Sequence, residues 1–347
     1  MKMEDTKVLV TGGTGFLGTH TVAHLLADGY DVRTTVRSLD RADEVHAAVA
    51  AAGIPAQVAQ KRLEIVAADL AADAGWPEAV ADCAYVLHVA SPFYAADPER
   101  ADELIAPARD GSLRVLRAAR DARVRRVVLT SSFAAVGYSP KADSTYDESD
   151  WTDPNDSESP YIKSKVIAEA AAWDFVRCDG GGPELTVINP TGIFGPVLSP
   201  RLSSSVALVK AMLDGTSTPM PRVYFGVVDV RDTAALHVRA MTTPKAAGER
   251  FLATSGEAIT YRQLSEIIAD RLGSRTSGLP IAELTDDQVR EAARTVPSLR
   301  DAASRVGKIP VIKTDKAREI LGWTPRGVEE TIVDTAQSLL ALEATAG

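Results

Sequence analysis

A chain of 347 residues, 45% hydrophobic and 24% charged, has room for one large domain and a smaller one and is too apolar to be disordered. Its net charge of -9 excludes a typical nucleic-acid binder, and no lysine- or arginine-rich block marks a membrane patch. No apolar span reaches transmembrane length, and the opening MKMEDTK runs into an apolar strand with no room for a signal peptide, so a cytoplasmic protein without nucleic-acid or membrane partners is expected.

The first predicted element is a strand at Val8 to Val10 that passes through a glycine turn into a helix from about Phe16. Lys7 to His20 reads KVLVTGGTGFLGTH. Gly13, Gly15 and Gly18 keep the G-x-G-x-x-G spacing, and Gly12 extends it to T-G-x-x-G-x-x-G from Thr11. Such a turn takes backbone angles that side chains forbid, admits a pyrophosphate close to the chain, and brings helix and strand together. The helix N-terminus offers free N–H groups to the anion. The stretch therefore predicts a dinucleotide site made by Thr11, Gly12, Gly15, Phe16, Leu17 and Gly18. His20 and His24 stand at i, i+4 on this helix, but HTVAH lacks the glutamate of a zinc-protease motif and no third ligand is evident, so no metal is expected.

The second strand, Val32 to Val36, ends in TTVRSLD. An NAD-binding fold of this kind carries an acidic residue near this point for the ribose hydroxyls. Here no carboxylate precedes Asp40, and Arg37 stands at the strand end, placed to pair with a ribose 2'-phosphate with Arg33 or Arg41 assisting. NADP(H) is therefore the expected cofactor. The alanines from Ala47 to Ala52 read as a helix end closed by Gly53. After a third strand, Leu63 to Ala67, Asp69 and Leu70 either meet the adenine or form a turn. Tyr85 to Val89 is the fourth strand; His88 near its end is a core histidine or faces the cofactor. Cys83 and Cys178, at a buried strand start and a helix end, read as free thiols.

The fifth strand, Val127 to Thr130, runs into Ser131 and Ser132 at the carboxyl edge of the sheet, where open α/β folds bind ligands. A serine there can hydrogen-bond a substrate carbonyl. Next, Tyr161-Ile-Lys-Ser-Lys165 puts a phenol and an ammonium on one helix face, with Ser159 a candidate N-cap and Pro160 suited to the first helical position. An ammonium beside the phenol lowers its pKa from about 10 towards neutrality. A shift of roughly 3 units takes about 4 kcal/mol, more than a screened surface lysine supplies, which places the pair in a cleft.

A sixth strand, Leu185 to Ile188, completes a doubly wound parallel α/β sheet of the Rossmann kind. Beyond Asn189 the rhythm breaks. Loops at Pro190 to Ser205 and Thr216 to Pro221, and helical patterns at Tyr261 to Leu272, Asp286 to Thr295 and Val328 to Leu342, predict a smaller, mostly helical substrate domain. Arg222 to Val228 and Arg250 to Ala253 are expected to return to the sheet. The boundaries follow as 1–190 with 222–254 for the cofactor domain and 191–221 with 255–347 for the substrate domain. Asp229 and Asp232 are read as caps of the helix after them.

Together the glycine turn, Ser132, Tyr161 and Lys165 resemble the short-chain dehydrogenase/reductase superfamily in its extended branch. More narrowly, TGGTGFLG, VRTTVRS, HVASPF, TSS, YDESDW, YIKSK and NPTGIFGP are similar to the dihydroflavonol reductase, cinnamoyl-CoA reductase and microbial aldehyde reductase group, from Lys7 to at least Pro196. VDVRDTA and LGWTP are similar too. The resemblance implies an NADPH-dependent carbonyl reductase with Ser132, rather than Ser131, joining Tyr161 and Lys165 in catalysis. It places Asn189, Pro190 and Ile193 against the nicotinamide, and Ala90 and Ser91 near its ribose. Two departures bear on substrate: bulky Phe133 follows Ser132 where a small residue is usual, and Gly137 stands where plant flavonoid reductases often carry asparagine. A large polyphenol is thereby disfavoured, and the expected substrate is a small or aryl aldehyde or ketone held by Phe93, Phe133 and Tyr224, unless these aromatics are core. The alternatives are a nucleotide-sugar epimerase or dehydratase of the same superfamily, or a non-catalytic NADP-binding sensor. A monomer or homodimer is expected.

Overall fold

The computed structural model describes residues 6–91, 102–157, 159–178, 180–273, 276, 278–296 and 299–346. In chain order its strands are β1 (Lys7–Val10), β2 (Asp31–Val36), β3 (Leu63–Ala67), β4 (Tyr85–His88), β5 (Arg126–Thr130), β6 (Thr145–Tyr146), β7 (Glu184–Pro190), β8 (Gly192–Phe194), β9 (Met220–Pro221), β10 (Phe225–Asp229), β11 (Arg250–Ala253), β12 (Ser255–Ile259), β13 (Glu283–Leu284) and β14 (Val311–Ile312). Its α-helices are α1 (Phe16–Ala27), α2 (Ala42–Ala51), α3 (Ala56–Arg62), α4 (Trp76–Val80), α5 (Asp102–Asp121), α6 (Pro160–Cys178), α7 (Ser204–Leu213), α8 (Val230–Thr242), α9 (Tyr261–Leu272), α10 (Asp286–Ala292), α11 (Arg300–Arg305), α12 (Asp315–Leu321) and α13 (Val328–Ala346).

Seven strands make one parallel sheet in the order β11-β7-β5-β4-β1-β2-β3. Successive side chains of a strand face opposite sides, and the buried residues divide accordingly. Val8, Val10, Leu87 and Val128 join α1 and α8 in one core. Leu9, Val86 and Val127 face the other way and pack with Val115 and Leu116 of α5 and Ala172 of α6. Each such side chain removed from water contributes about 1.5–3 kcal/mol, so both layers of helices are held by the alternation within the strands. Within this sheet the edge strand β3 is the most exposed. From β1 the chain moves outward to β2 and β3, then crosses back to β4 on β1's other side. The reversal leaves a crevice at the carboxyl ends of β1 and β4, the usual ligand position in this architecture.

The two expected return strands have different fates. β11 takes the sheet edge beside β7, with Arg250 level with Val187. The run expected at Arg222 to Val228 instead becomes β10, lying between β8 and β12 in a separate three-stranded sheet. The reason is that β7 continues past Thr191 into β8 and β11 past Thr254 into β12, so the space between their outer halves is where β10 finds both of its partners. Phe194, Val227, Met212 of α7, Leu264 and Ile268 of α9, and Ile332 of α13 form the core around this small sheet.

Gly53 closes α2 with a φ of +81°. Cys83 is buried and Cys178 is exposed at the end of α6. Among the described residues no helix is long and apolar enough to cross a membrane.

Candidate active site

The glycine turn occupies the crevice. Gly12 has a φ of +76°, and a Cβ there would meet that of Ala90 at 3.0 Å. On Gly18 a Cβ would stand 2.1 Å from the carbonyl oxygen of Gly12, so α1 can approach the turn this closely only without a side chain. Thr11 ties the two sides of the crevice together: its hydroxyl accepts from the Ala90 N–H at 3.0 Å and shares a hydrogen bond with Nδ1 of His88 at 2.8 Å. His88 is a buried, neutral imidazole, its pKa lowered to about 3 by burial and then by the Lys165 charge. It belongs to the core and supports Thr11.

Gly15 is the N-cap of α1 and offers no capping side chain. The first N–H groups of the helix, at Phe16, Leu17 and Gly18, thus have no partner within it and open onto the crevice, a cradle that fits a dinucleotide pyrophosphate. Arg37 is exposed at the end of β2 and has no ion-pair partner among the described residues. The two assisting arginines are a correction. Arg33 is buried, spending Nη1 on the carbonyls of Glu78, Ala79 and Ala81 and Nη2 on Glu64, and Arg41 is engaged by both carboxylate oxygens of Glu44. Asp69 accepts from the N–H of Ala71 at 2.9 Å in a tight turn, with Leu70 packed on the second core.

The chemistry-bearing residues come from β5 and α6. Tyr161 donates to Ser132 Oγ at 3.2 Å, and the same oxygen accepts from the Ala134 N–H at 3.1 Å. With two bonds accepted, the proton of Ser132 is left to donate. Ser131 turns the other way and donates to Glu169 at 2.5 Å. Lys165 donates to Ser91 Oγ at 3.0 Å and lies 5.7 Å from the Tyr161 ring centre. Burial lowers its pKa to about 8, against a raising influence from Glu169.

The expected lowering of the phenol does not occur. Although Tyr161 as a whole residue is 46% exposed, its hydroxyl is held at buried Ser132, and withdrawal from water raises the Tyr161 pKa, with the Ser132 hydrogen bond acting the other way. The ammonium lies over the ring and is directed at Ser91 rather than at the phenol oxygen. Burial therefore favours the protonated form of Tyr161.

Glu169 was not singled out from the sequence. It is buried one turn beyond Lys165 and accepts from Ser131, from Asn189 Nδ2 at 2.7 Å and from Arg250 Nε at 2.7 Å. Asn189 also donates to the Ser132 carbonyl at 3.2 Å, so one carboxylate aligns both strand ends flanking the site. The i, i+4, i+8 run Tyr161, Lys165, Glu169 was the available signal. Pro190 and half-buried Ile193 follow Asn189.

In front of Ser132 and Tyr161 is a cavity of about 510 Å³ that Phe133, Tyr138, Pro190 and Tyr224 help to line. Phe133 is both wall and core, packed edge-on against Tyr138 and Tyr146. Phe93 lies outside the described residues. His20 and His24 go to different partners, the carbonyl of Pro196 and the carboxylate of Asp28. Asp229 caps α8 through the N–H of Arg231, but Asp232 does not: it takes the N–H and guanidinium of Arg326, while its carbonyl accepts from Trp323. VDVRDTA and LGWTP are thus two halves of one contact.

A model of the NAD dependent epimerase/dehydratase family matches residues 8–253. Cinnamoyl-CoA reductase CAD2 of Medicago truncatula is 37% identical over 252 residues, covering 71% of this chain and 75% of that protein. Ketoreductase azaE of Aspergillus niger is 30% identical over 355 residues, 96% of this chain and 97% of its own. Among solved structures, yeast methylglyoxal/isovaleraldehyde reductase Gre2 complexed with NADPH superposes with a TM-score of 0.75 at 26% identity, covering 98% of this chain and 99% of that one.

Proposed function

The chain belongs to the NAD dependent epimerase/dehydratase family as an extended short-chain, NADP-dependent oxidoreductase acting on carbonyl groups, and we propose that it reduces a small or aryl aldehyde or ketone to the alcohol with Tyr161 as general acid. The observation that carries this reading is the Tyr161 hydroxyl bonded to Ser132 at the wall of an aromatic cavity.

NADPH, when bound, supplies the hydride. The open N-terminus of α1 and the glycine turn would hold its pyrophosphate, Arg37 its 2'-phosphate, Asp69 and Leu70 its adenine, and Lys165 with Ser91 and Ala90 its nicotinamide ribose. Asn189, Pro190 and Ile193 would flank the nicotinamide. Ser132 directs its free proton at the substrate carbonyl oxygen, stabilising charge where it develops. Tyr161 then gives up its proton to that oxygen, and its high pKa keeps the proton in place until then.

Tyr161→Phe should lower kcat by roughly 10²- to 10⁴-fold while NADPH binding stays nearly intact. NADPH oxidation with a panel of aldehydes measures the first and quenching of protein fluorescence the second. Turnover near the parent value would remove Tyr161 as the acid.

A further inference from the structure

The cavity in front of Tyr161 is cationic in an acidic protein. Among the described residues its lining includes Lys141, Arg305 and Lys308, and no aspartate or glutamate. A molecule of net charge -9 has no general attraction for anions, so the sign reversal is local to the cavity.

The three cations are not equivalent. Lys141 is neutralised by both oxygens of Asp150, each at 2.8 Å. Lys308 is exposed and has no ion-pair partner among the described residues. Arg305, the last residue of α11, is half-buried, with its guanidinium 4.6 Å from the ring centre of Tyr138. Its Nε donates to the backbone carbonyl of Asp301 at 3.1 Å, whereas the Asp301 carboxylate accepts from Ser157. The two Nη groups have no protein partner among the described residues. A guanidinium held against a ring with its fork unused is shaped for bidentate contact with a carboxylate.

The aromatic walls set a spacing. Tyr138 carries Arg305 on one side and meets Phe133 with ring centres 6.0 Å apart, and Phe133 is bonded in sequence to Ser132. The contacts leading from the guanidinium to Ser132 thus run through two aromatic rings.

Building on the carbonyl-reductase reading above, we propose that the substrate is an anionic carbonyl compound whose carboxylate binds Arg305, with Lys308 nearby, across an aromatic or apolar spacer from the C=O reduced at Tyr161 and Ser132.

The test compares 4-formylbenzoate with its methyl ester, using NADPH and the full-length enzyme. The expected kcat/KM for the acid is at least about tenfold above that for the ester and is carried by KM, as a charge-assisted bond predicts. Raised salt should shrink the ratio, and Arg305→Gln should bring it to about one. An ester reduced as well as the acid by the parent enzyme, or a preference that survives Arg305→Gln, overturns the proposal while leaving the reductase reading standing. Reduction of neither aldehyde counts against the reductase reading instead. Calorimetry on the parent protein with NADP+ then decides the anion site alone: 4-(hydroxymethyl)benzoate binding about tenfold tighter than its amide supports it, and equal binding overturns it.

Discussion

Phe133 and Gly137 are two departures from a family pattern that the structure reduces to one. A Cβ on Gly137 would lie 2.1 Å from Cζ of Phe133, so the large ring occupies the space that a side chain at 137 needs. Gly137→Asn alone should therefore cost roughly 1–3 kcal/mol of stability through overpacking. In the Phe133→Ala background the same change should cost less, with a coupling of about 1 kcal/mol or more in a double-mutant cycle by urea unfolding. Additive losses would show that the two positions do not share this space. The double variant should also admit bulkier ketones that the parent rejects. Arg33 and Arg37 teach a related lesson. Arg33 lies within β2 and Arg37 directly follows it, yet one is consumed by carbonyls around α4 and the other is left open. Burial, which a lone sequence does not reveal, separates them.

At the scale of elements, α6 carries the site on one stripe: Tyr161, Lys165 and Glu169 are each four residues apart. The first two were legible because their spacing is local. Glu169 was not, because its partner Arg250 is 81 residues away on β11 and only the folded sheet brings them together. Both side chains are buried, at 0% and 8% exposure, and removing one leaves the other charge unpaired. Glu169→Ala should cost about 3–5 kcal/mol, and adding Arg250→Met should recover part of it. Unfolding free energies check this; a loss under about 1 kcal/mol for the single variant would mean that water already compensates Arg250. The same limit applies to β10. Its apolar run predicts a strand correctly, but which sheet accepts it depends on how β7 and β11 continue beyond Thr191 and Thr254, and no local period encodes that.

For the molecule as a whole, three buried imidazoles set the acid limit. Burial lowers His20 and His237 to about 4 and His88 to about 3. In the unfolded chain each returns to about 6.5. Below that value the unfolded state takes up protons that the folded state refuses, so the stability present above pH 6.5 is lost as pH falls towards 4 and 3. Thermal melts across this window should show a steadily falling Tm. A flat Tm from pH 7 to 4.5 would mean that these histidines are hydrated or protonated in the fold.

The two thiols are unequal in a way that can be used. Burial pushes Cys83 up to about 11, which makes it a poor nucleophile, while Cys178 is open to solvent at the far end of α6. A maleimide dye should consequently attach at a single position without mutagenesis. Seventeen residues of helix put that dye ~26 Å from the Cα of Tyr161 on one rigid rod. This is a convenient span for energy transfer from reduced nicotinamide, so occupancy of the crevice can be followed optically from a point remote from it.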